Sequence, residues 1–101
     1  MKTLKFKFNK REMYALKGMF ERTVIQDDPT LSIEEKLLIA ILANMYVRVH
    51  NKTALIKDTY SLTLSPPEAL AFTIYFVDVH CDVYEKRLVR LIIAETDKKF
   101  L

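Results

Sequence analysis

The first two elements of the fold are determined by the stretch Leu4-Lys5-Phe6-Lys7-Phe8-Asn9-Lys10-Arg11-Glu12. Its first five residues alternate apolar and polar side chains, which is typical of a strand with one buried face. Asn9, followed three residues later by Glu12, has the spacing of a capping box, in which side chains bond the free backbone N–H groups of a helix start. The stretch therefore predicts a strand over Leu4–Phe8 and a helix from about Lys10 to Ile25, whose inward stripe is Met13, Leu16, Phe20 and Val24.

The same pattern occurs again 56 residues later, where Tyr60–Leu64 alternates and Ser65 precedes Glu68 at capping-box spacing. Three positions are identical at this offset: Glu12 and Glu68, Ala15 and Ala71, Phe20 and Phe76. Two equal strands predict an antiparallel ribbon about a pseudo-twofold axis. Because side chains alternate across a strand, we expect Leu4, Phe6, Phe8, Tyr60, Leu62 and Leu64 to face the helices, and Lys5, Lys7, Ser61 and Thr63 to face out.

Further capping boxes predict the remaining helices. Ser32 with Glu35 predicts a second helix from Ile33 to about His50, followed by Asn51 at the helix end. Pro66 begins the third helix, since proline is favoured in a first turn.

Asp82 with Glu85 forms a fourth box. It favours a break near His80 and a fourth helix from Val83 to about Lys98, with Tyr84, Leu88, Leu91 and Ile92 inward. The alternative is one continuous helix over residues 66–98, because no glycine or proline interrupts residues 68–101. The fold class expected is mainly α with a small two-stranded antiparallel ribbon, in the order β-α-α-β-α-α. We expect a pseudo-twofold, compact domain of four helices.

Length and composition limit the classes of protein. A chain of 101 residues, half of them apolar, predicts a single domain over residues 1–101, with an internal pseudo-repeat of 1–56 and 57–101. Gly18 is the only glycine, which excludes a glycine-rich phosphate loop, and we interpret it as a point of close helix approach. Cys81 is the only cysteine, which excludes an internal disulfide and favours a reducing compartment. No apolar run is long enough to span a bilayer and no signal peptide is recognisable, so we expect a cytoplasmic protein with no membrane partner.

Positive charge is concentrated at the N-terminal end, although the net charge of the whole chain is only +3. This candidate basic contact surface consists of Lys2, Lys5, Lys7, Lys10, Arg11 and Lys17, against Glu12 alone. One interpretation is a solvated surface that keeps an exposed strand from pairing with other chains. The other is an electrostatic contact with nucleic acid or with an acidic partner.

The second and third helices are apolar on nearly all sides, since only Asn44 is polar from Leu37 to Val47 and only Thr73 from Ala69 to Val77. They can pack centrally against each other, with the first and fourth helices outside. A chain this small has too little volume to cover two such helices fully, so we also expect a homo-oligomer. The candidate apolar interface consists of Leu38, Ile41, Met45, Phe72, Tyr75 and Phe76.

Catalytic chemistry has few candidates. His80 and Cys81 are neighbours, but adjacent helical side chains diverge by about 100°, so they cannot act as a base and nucleophile pair without a bend between them. We therefore expect Cys81 to be buried as a small apolar residue and His80 to be partly exposed. Asp78, Asp82 and Glu85 would form an acidic stripe on a continuous helix, which is more often a solvated face or a helix cap than a cation site. We expect no enzyme, no cofactor and no metal.

The strand–helix–helix order of Leu4–Phe8, Asn9-x-x-Glu12 and Ser32-x-x-Glu35 resembles the ribbon-helix-helix DNA-binding family. In that family two chains each supply one strand, and the outward strand side chains read the major groove. The resemblance covers both halves of the chain and implies a single-chain module. It implies contacts to DNA from Lys5, Lys7, Ser61 and Thr63.

The function that the sequence favours is different. It is a small non-catalytic binding protein that acts through protein–protein contacts, as an adaptor, a regulatory subunit or an inhibitor of a larger enzyme. Inhibitors encoded by mobile elements are one known kind. DNA binding is the alternative, and salt dependence of binding distinguishes the two.

Overall fold

The computed structural model describes residues 3–24, 30–77, 79 and 81–100. Its elements are β1 (Leu4–Asn9), α1 (Lys10–Thr23), α2 (Ile33–Thr53), β2 (Thr59–Leu64), α3 (Pro66–Phe76) and α4 (Val83–Phe100). The mainly helical fold, its β-α-α-β-α-α order and its two-stranded ribbon are therefore confirmed.

The ribbon is antiparallel and its register centres on the pair Phe6 and Leu62, which are themselves 56 residues apart. A twofold axis through this pair exchanges β1 with β2, so the ribbon has the pseudo-twofold relation that the repeated pattern predicts. All six inward positions are buried: Leu4, Phe6, Phe8, Tyr60, Leu62 and Leu64. Strand alternation thus puts a continuous apolar face of the ribbon against the helices.

All four predicted capping boxes are present. The side-chain oxygens of Asn9, Ser32, Ser65 and Asp82 accept from the backbone N–H groups of Glu12, Glu35, Glu68 and Glu85, at 2.8, 3.1, 3.4 and 2.8 Å. Each glutamate also accepts from the backbone N–H of its capping residue. The box at Asp82 separates α4 from α3, which confirms a break there, although His80 itself lies outside the described residues.

The C-terminal ends of the helices differ in part from the prediction. α2 continues beyond His50 to Thr53, and Asn51 lies inside it rather than ending it. The Thr53 hydroxyl donates to the His50 carbonyl at 2.9 Å, and Ala54 N–H bonds the Asn51 carbonyl at 3.3 Å, so the last turn closes without a left-handed residue. α1 ends at Thr23, with Val24 as its C-cap, two residues before the predicted end at Ile25, which itself lies outside the described residues.

The helices close a ring rather than flanking a central pair. α1 packs on α2, α2 on α3, α3 on α4, and α4 on α1. The expected packing of α2 against α3 is therefore present, but the expected outer position of α1 and α4 is wrong, because these two helices also pack on each other. In the middle of the ring, the Phe20 ring lies 5.5 Å from that of Phe76 and 6.1 Å from that of Phe72. Phe20 and Phe76 are equivalent at the 56-residue offset, so these two rings, like Phe6 and Leu62, are exchanged by the pseudo-twofold axis.

Most of the predicted inward stripes are confirmed. Met13, Leu16, Phe20 and Val24 of the first stripe are buried, as are Leu88 and Ile92 of α4. Leu91 is 43% exposed, so its inward placement was wrong: it lies one position, about 100°, away from Ile92, which takes the inward direction. Gly18 does not mediate close helix approach, because a Cβ there would meet Arg22 Nη1 as its nearest atom, at an ordinary 3.8 Å.

Candidate functional site

The candidate basic surface is divided between the ribbon and α1. Lys5 and Lys7 are exposed on the outward face of β1, opposite Thr63 and Ser61 of β2. Lys17 lies 3.9 Å from Glu21 on α1, which neutralises part of its charge. Lys2 lies outside the described residues. Among the described residues, neither lysine forms an ion pair, so the outward ribbon face carries two positive charges beside two hydroxyl side chains.

A cleft between the start of α1 and α4 extends this basic region. The guanidinium of Arg11 stacks on the Tyr84 ring, 4.4 Å from its centroid, and Lys10 Nζ lies 6.0 Å from the ring of Tyr14. The cleft measures about 490 Å³, and its lining residues are Asn9, Arg11, Glu12, Tyr84, Arg87, Leu88 and Leu91. Arg87 adds a cation that the sequence analysis did not include, because nothing local shows that residues 87 and 11 line the same cleft. The sequence indicates only that Arg87 points away from the core, because it directly precedes the inward Leu88.

Half of the candidate apolar interface lies in the core, which corrects the prediction. Met45, Phe72 and Phe76 are at most 1% exposed, so a folded chain cannot offer them to a partner. Leu38, Ile41 and Tyr75 are partly buried and pack against the same core. Tyr75 also donates its hydroxyl to the Thr23 carbonyl at 2.5 Å, and burial raises the pKa of that hydroxyl. The structure therefore assigns these six residues mainly to internal packing.

The apolar surface that remains exposed lies elsewhere on α2. Ile33, Leu37 and Val47 are 86, 61 and 51% exposed. Three further exposed positions of α2 lie on the same line, and the six positions together are spaced alternately by four and three residues. We name this set the α2 stripe: Ile33, Leu37, Ala40, Asn44, Val47 and Asn51. Leu42, Met45 and Val49, on the opposite side of the helix, are fully buried. α2 thus presents one continuous, largely apolar line to solvent.

A second apolar surface is concave. The α3–α4 groove has a volume of about 520 Å³ and lies between the end of α3 and α4. Its apolar lining consists of Phe76, Val77, Val79, Cys81, Val89, Ile93 and Ala94. Lys86, Arg90 and Asp97 are its charged lining residues. The apolar lining can bind an apolar group. Because two of the three charged lining residues are cations, the groove favours a group that also carries negative charge nearby.

Cys81 in this groove is poorly suited to nucleophilic chemistry. Burial, and then the negative charge of Glu85, raise the pKa of the Cys81 thiol. The thiol is therefore protonated at neutral pH, and it is the thiolate that reacts. His80 lies outside the described residues, so the expected divergence of the His80 and Cys81 side chains stays a prediction.

Two arginine–glutamate pairs join the halves of the molecule. Glu85, which caps α4 and is 4% exposed, binds the Arg22 guanidinium of α1 with both carboxylate oxygens, at 2.6 and 2.5 Å. The hydrogen bond to Glu85 is the main cause that raises the pKa of Arg22. Glu68, which caps α3, accepts from the Arg48 guanidinium of α2 through one carboxylate oxygen, while its other oxygen accepts from Ser65. Arg48 also donates to the Thr63 carbonyl at 2.9 Å. Both glutamates are structural, because capping and pairing account for their carboxylates.

Within the described ranges 3–24, 30–77, 79 and 81–100, no three His, Cys, Asp or Glu side chains lie close enough together to hold a metal ion. Asp78 of the candidate acidic stripe lies outside those ranges, and Asp82 and Glu85 form the α4 capping box. Among the described helices, none is both long enough and apolar enough to cross a membrane.

Comparisons with known proteins show no relationship. The chain matches no protein-family model, and neither the curated proteins nor the solved structures include a significant match to it.

Proposed function

We propose that this chain is a non-catalytic, cytoplasmic binding protein that acts through protein–protein contacts and associates with copies of itself. An adaptor, a regulatory subunit or an inhibitor of a larger enzyme would each act in this way. The observation that carries the proposal is the α3–α4 groove, a concave apolar surface that internal packing leaves open. The chemistry of its lining favours a partner segment with an apolar side chain flanked by carboxylates, which Lys86 and Arg90 attract.

The groove can be tested by placing a negative charge in it. Ala94 lines the groove and is exposed, so Ala94→Glu adds a charge without opening the core. We expect the variant to lose affinity for a co-purifying protein by about tenfold or more, since each factor of ten requires only about 1.4 kcal/mol. Anilinonaphthalene sulfonate, an apolar anion, is a defined probe for the same groove, and its fluorescence enhancement should fall in parallel.

Ala54→Glu is the matched control, because Ala54 is an exposed alanine at the end of α2, outside the groove. It should keep both the dye and the protein partner. If the two variants bind both probes equally, the groove is not the contact surface and the proposal fails.

DNA binding is the second candidate function, and the bare outward face of the ribbon favours it. No described side chain forms an ion pair with Lys5 or Lys7, and β2 places Thr63 and Ser61 beside them. If this face binds DNA, the slope of log affinity against log salt should decrease by about 0.7–0.9 for each lysine removed.

Lys5→Ala/Lys7→Ala therefore distinguishes the two functions. We expect the double variant to keep its protein partner, because neither lysine lines the groove. Lys36→Ala/Lys86→Ala removes the same charge away from the ribbon and controls for net charge in a fluorescence-anisotropy titration with duplex DNA at several salt concentrations. Tight DNA binding that only the Lys5/Lys7 variant loses would replace protein contact with DNA binding as the function.

A further inference from the structure

We propose that the α2 stripe is the surface through which two copies of this chain associate, with the two α2 helices packed antiparallel. The inference rests on the self-association in the proposed function and adds its surface and geometry. It does not involve the α3–α4 groove, which lies on a different pair of helices.

The spacing of the stripe is that of a helix–helix seam. Its six positions follow one another at intervals of four, three, four, three and four residues. Intervals alternating between four and three give the mean repeat of 3.5 residues that keeps one line of a helix against a partner helix. The line extends over most of α2, whose 21 residues span about 31 Å. A single apolar residue on a surface needs no partner, whereas a seam of this length fits another helix.

The residues of the seam fit one another when a second α2 runs in the opposite direction. A twofold axis at the level of Leu42 places Leu37 beside Val47 of the second copy, so that two apolar layers form, one on each side of the axis. Ala40 then lies beside Asn44 of the second copy, near the axis. The small alanine permits close approach, and a polar asparagine within an apolar seam is a known means of fixing the register of two helices.

Charge also favours the antiparallel direction. The first turn of α2 carries Glu34 and Glu35, and its last turn carries His50 and Lys52. In the antiparallel register Glu34 lies beside Arg48 of the second copy, whose side chain is 41% exposed although it already binds Glu68. Lys36 lies beside His50 of the second copy, and this pair adds no attraction. In a parallel pair the acidic first turns would meet each other and the helix dipoles would be aligned, both of which are unfavourable.

The first test is the mass of the protein in solution. We expect about twice the 11.9 kDa chain mass by light scattering at micromolar concentration. Leu37→Glu should weaken the dimer by about 100-fold, because two charges enter the seam and each costs about a factor of ten or more. Leu55→Glu is the matched control, since Leu55 is 65% exposed, close to the 61% of Leu37, but lies outside α2.

The second test is disulfide crosslinking in a Cys81→Ser background, which removes the only native thiol. In the antiparallel register the two copies of residue 37 are ten helical positions apart, about 15 Å, which is too far for a disulfide. Leu37→Cys and Val47→Cys proteins should therefore each stay uncrosslinked alone and form a mixed disulfide when combined, identified by intact mass. If each variant crosslinks with itself, the helices are parallel and the proposed geometry is wrong.

The remaining outcomes separate this inference from the proposed function. A dimer that persists unchanged in Leu37→Glu places self-association on another surface and overturns the seam alone. A monomer mass for the wild-type chain overturns both the seam and self-association. Partner binding at the groove is read separately through Ala94→Glu and is not affected by either result.

Discussion

α2 and α4 occupy equivalent places in the two halves of the molecule, but their outward faces differ in chemistry. Each follows the helix that packs under its own strand, and each packs on one helix of the opposite half. α2 exposes the mainly apolar line of Ile33, Leu37 and Val47, whereas α4 exposes Lys86, Arg87 and Arg90. The strands differ similarly: β1 points lysines outward and β2 points hydroxyl side chains outward.

The difference shows which positions the shared core constrains. Inward positions of both halves meet across the pseudo-twofold axis, so each must be apolar and of a size that its counterpart accepts. Exposed positions are not held to that requirement, so the outward faces of α2 and α4 are free to differ in chemistry. We expect binding to reside on these faces.

The largest expected effect is in the core, where substitutions test whether the two halves contribute equally to stability. Phe20→Ala and Phe76→Ala should each lower the free energy of unfolding by about 3–5 kcal/mol, since both rings are fully buried. Because the rings are in contact, the double variant should lose less than the sum of the two changes. Urea denaturation measures all three values. A loss below about 1 kcal/mol for either single variant would show that the two halves do not share the core equally.

The second comparison is between two equivalent capping boxes, whose removal should have a smaller effect on the free energy of unfolding than the core substitutions. Asn9→Ala and Ser65→Ala remove equivalent caps and should each cost about 0.5–2 kcal/mol. We expect the larger cost at Ser65, because its box is partly buried and Glu68 also holds Arg48, whereas the box at Asn9 is exposed. Thermal unfolding should show a decrease of about 4–8 °C per kcal/mol for a chain of this size. An unchanged melting temperature in Ser65→Ala would contradict the boundary of α3.

The smallest effect concerns Gly18 and its equivalent, Ile74. Gly18→Ala should raise the free energy of unfolding by about 0.5–1 kcal/mol, because glycine inside a helix is unfavourable and a Cβ there meets no atom closer than 3.8 Å. Ile74→Ala should change it by no more than about 0.5 kcal/mol, since Ile74 is 61% exposed. Chemical denaturation measures the free energy of unfolding of both variants. A destabilised Gly18→Ala would restore the interpretation that this glycine allows close helix approach.

The elements of this fold were predictable because their signals are local. A capping box lies within four residues, as at Asn9 and Glu12, and strand alternation is visible over five. The end of α2 was not predictable from Asn51, because the hydrogen bonds of Thr53 and Ala54 compete with that signal. The ring arrangement of the helices was not predicted for a different reason. An apolar helix sequence shows that the helix is buried, but it does not show which other helices pack against it.

The candidate surfaces were less predictable than the fold. α2 is apolar on nearly every side, so its sequence alone could not distinguish the buried Met45 from the exposed Leu37. That choice depends on where α1 and α3 pack against the helix. The basic cleft could not be predicted for the same reason, because only the tertiary structure brings Arg11 and Arg87 into the lining of one cleft. Lys5 and Lys7 were placed correctly, since alternation in a strand is itself a local signal.

The long separation of the paired strands has a consequence for synthesis of the chain. β1 pairs with residues that lie 50 to 60 positions later, from Asn9 with Thr59 to Leu4 with Leu64. At about 5–20 residues per second, the ribosome leaves the first strand without a partner for on the order of several seconds. During that time Leu4, Phe6 and Phe8 are open to aggregation, and alternating charges oppose edge-to-edge pairing of such strands. We therefore expect Lys5 and Lys7 to oppose aggregation of the nascent strand before the folded protein exists.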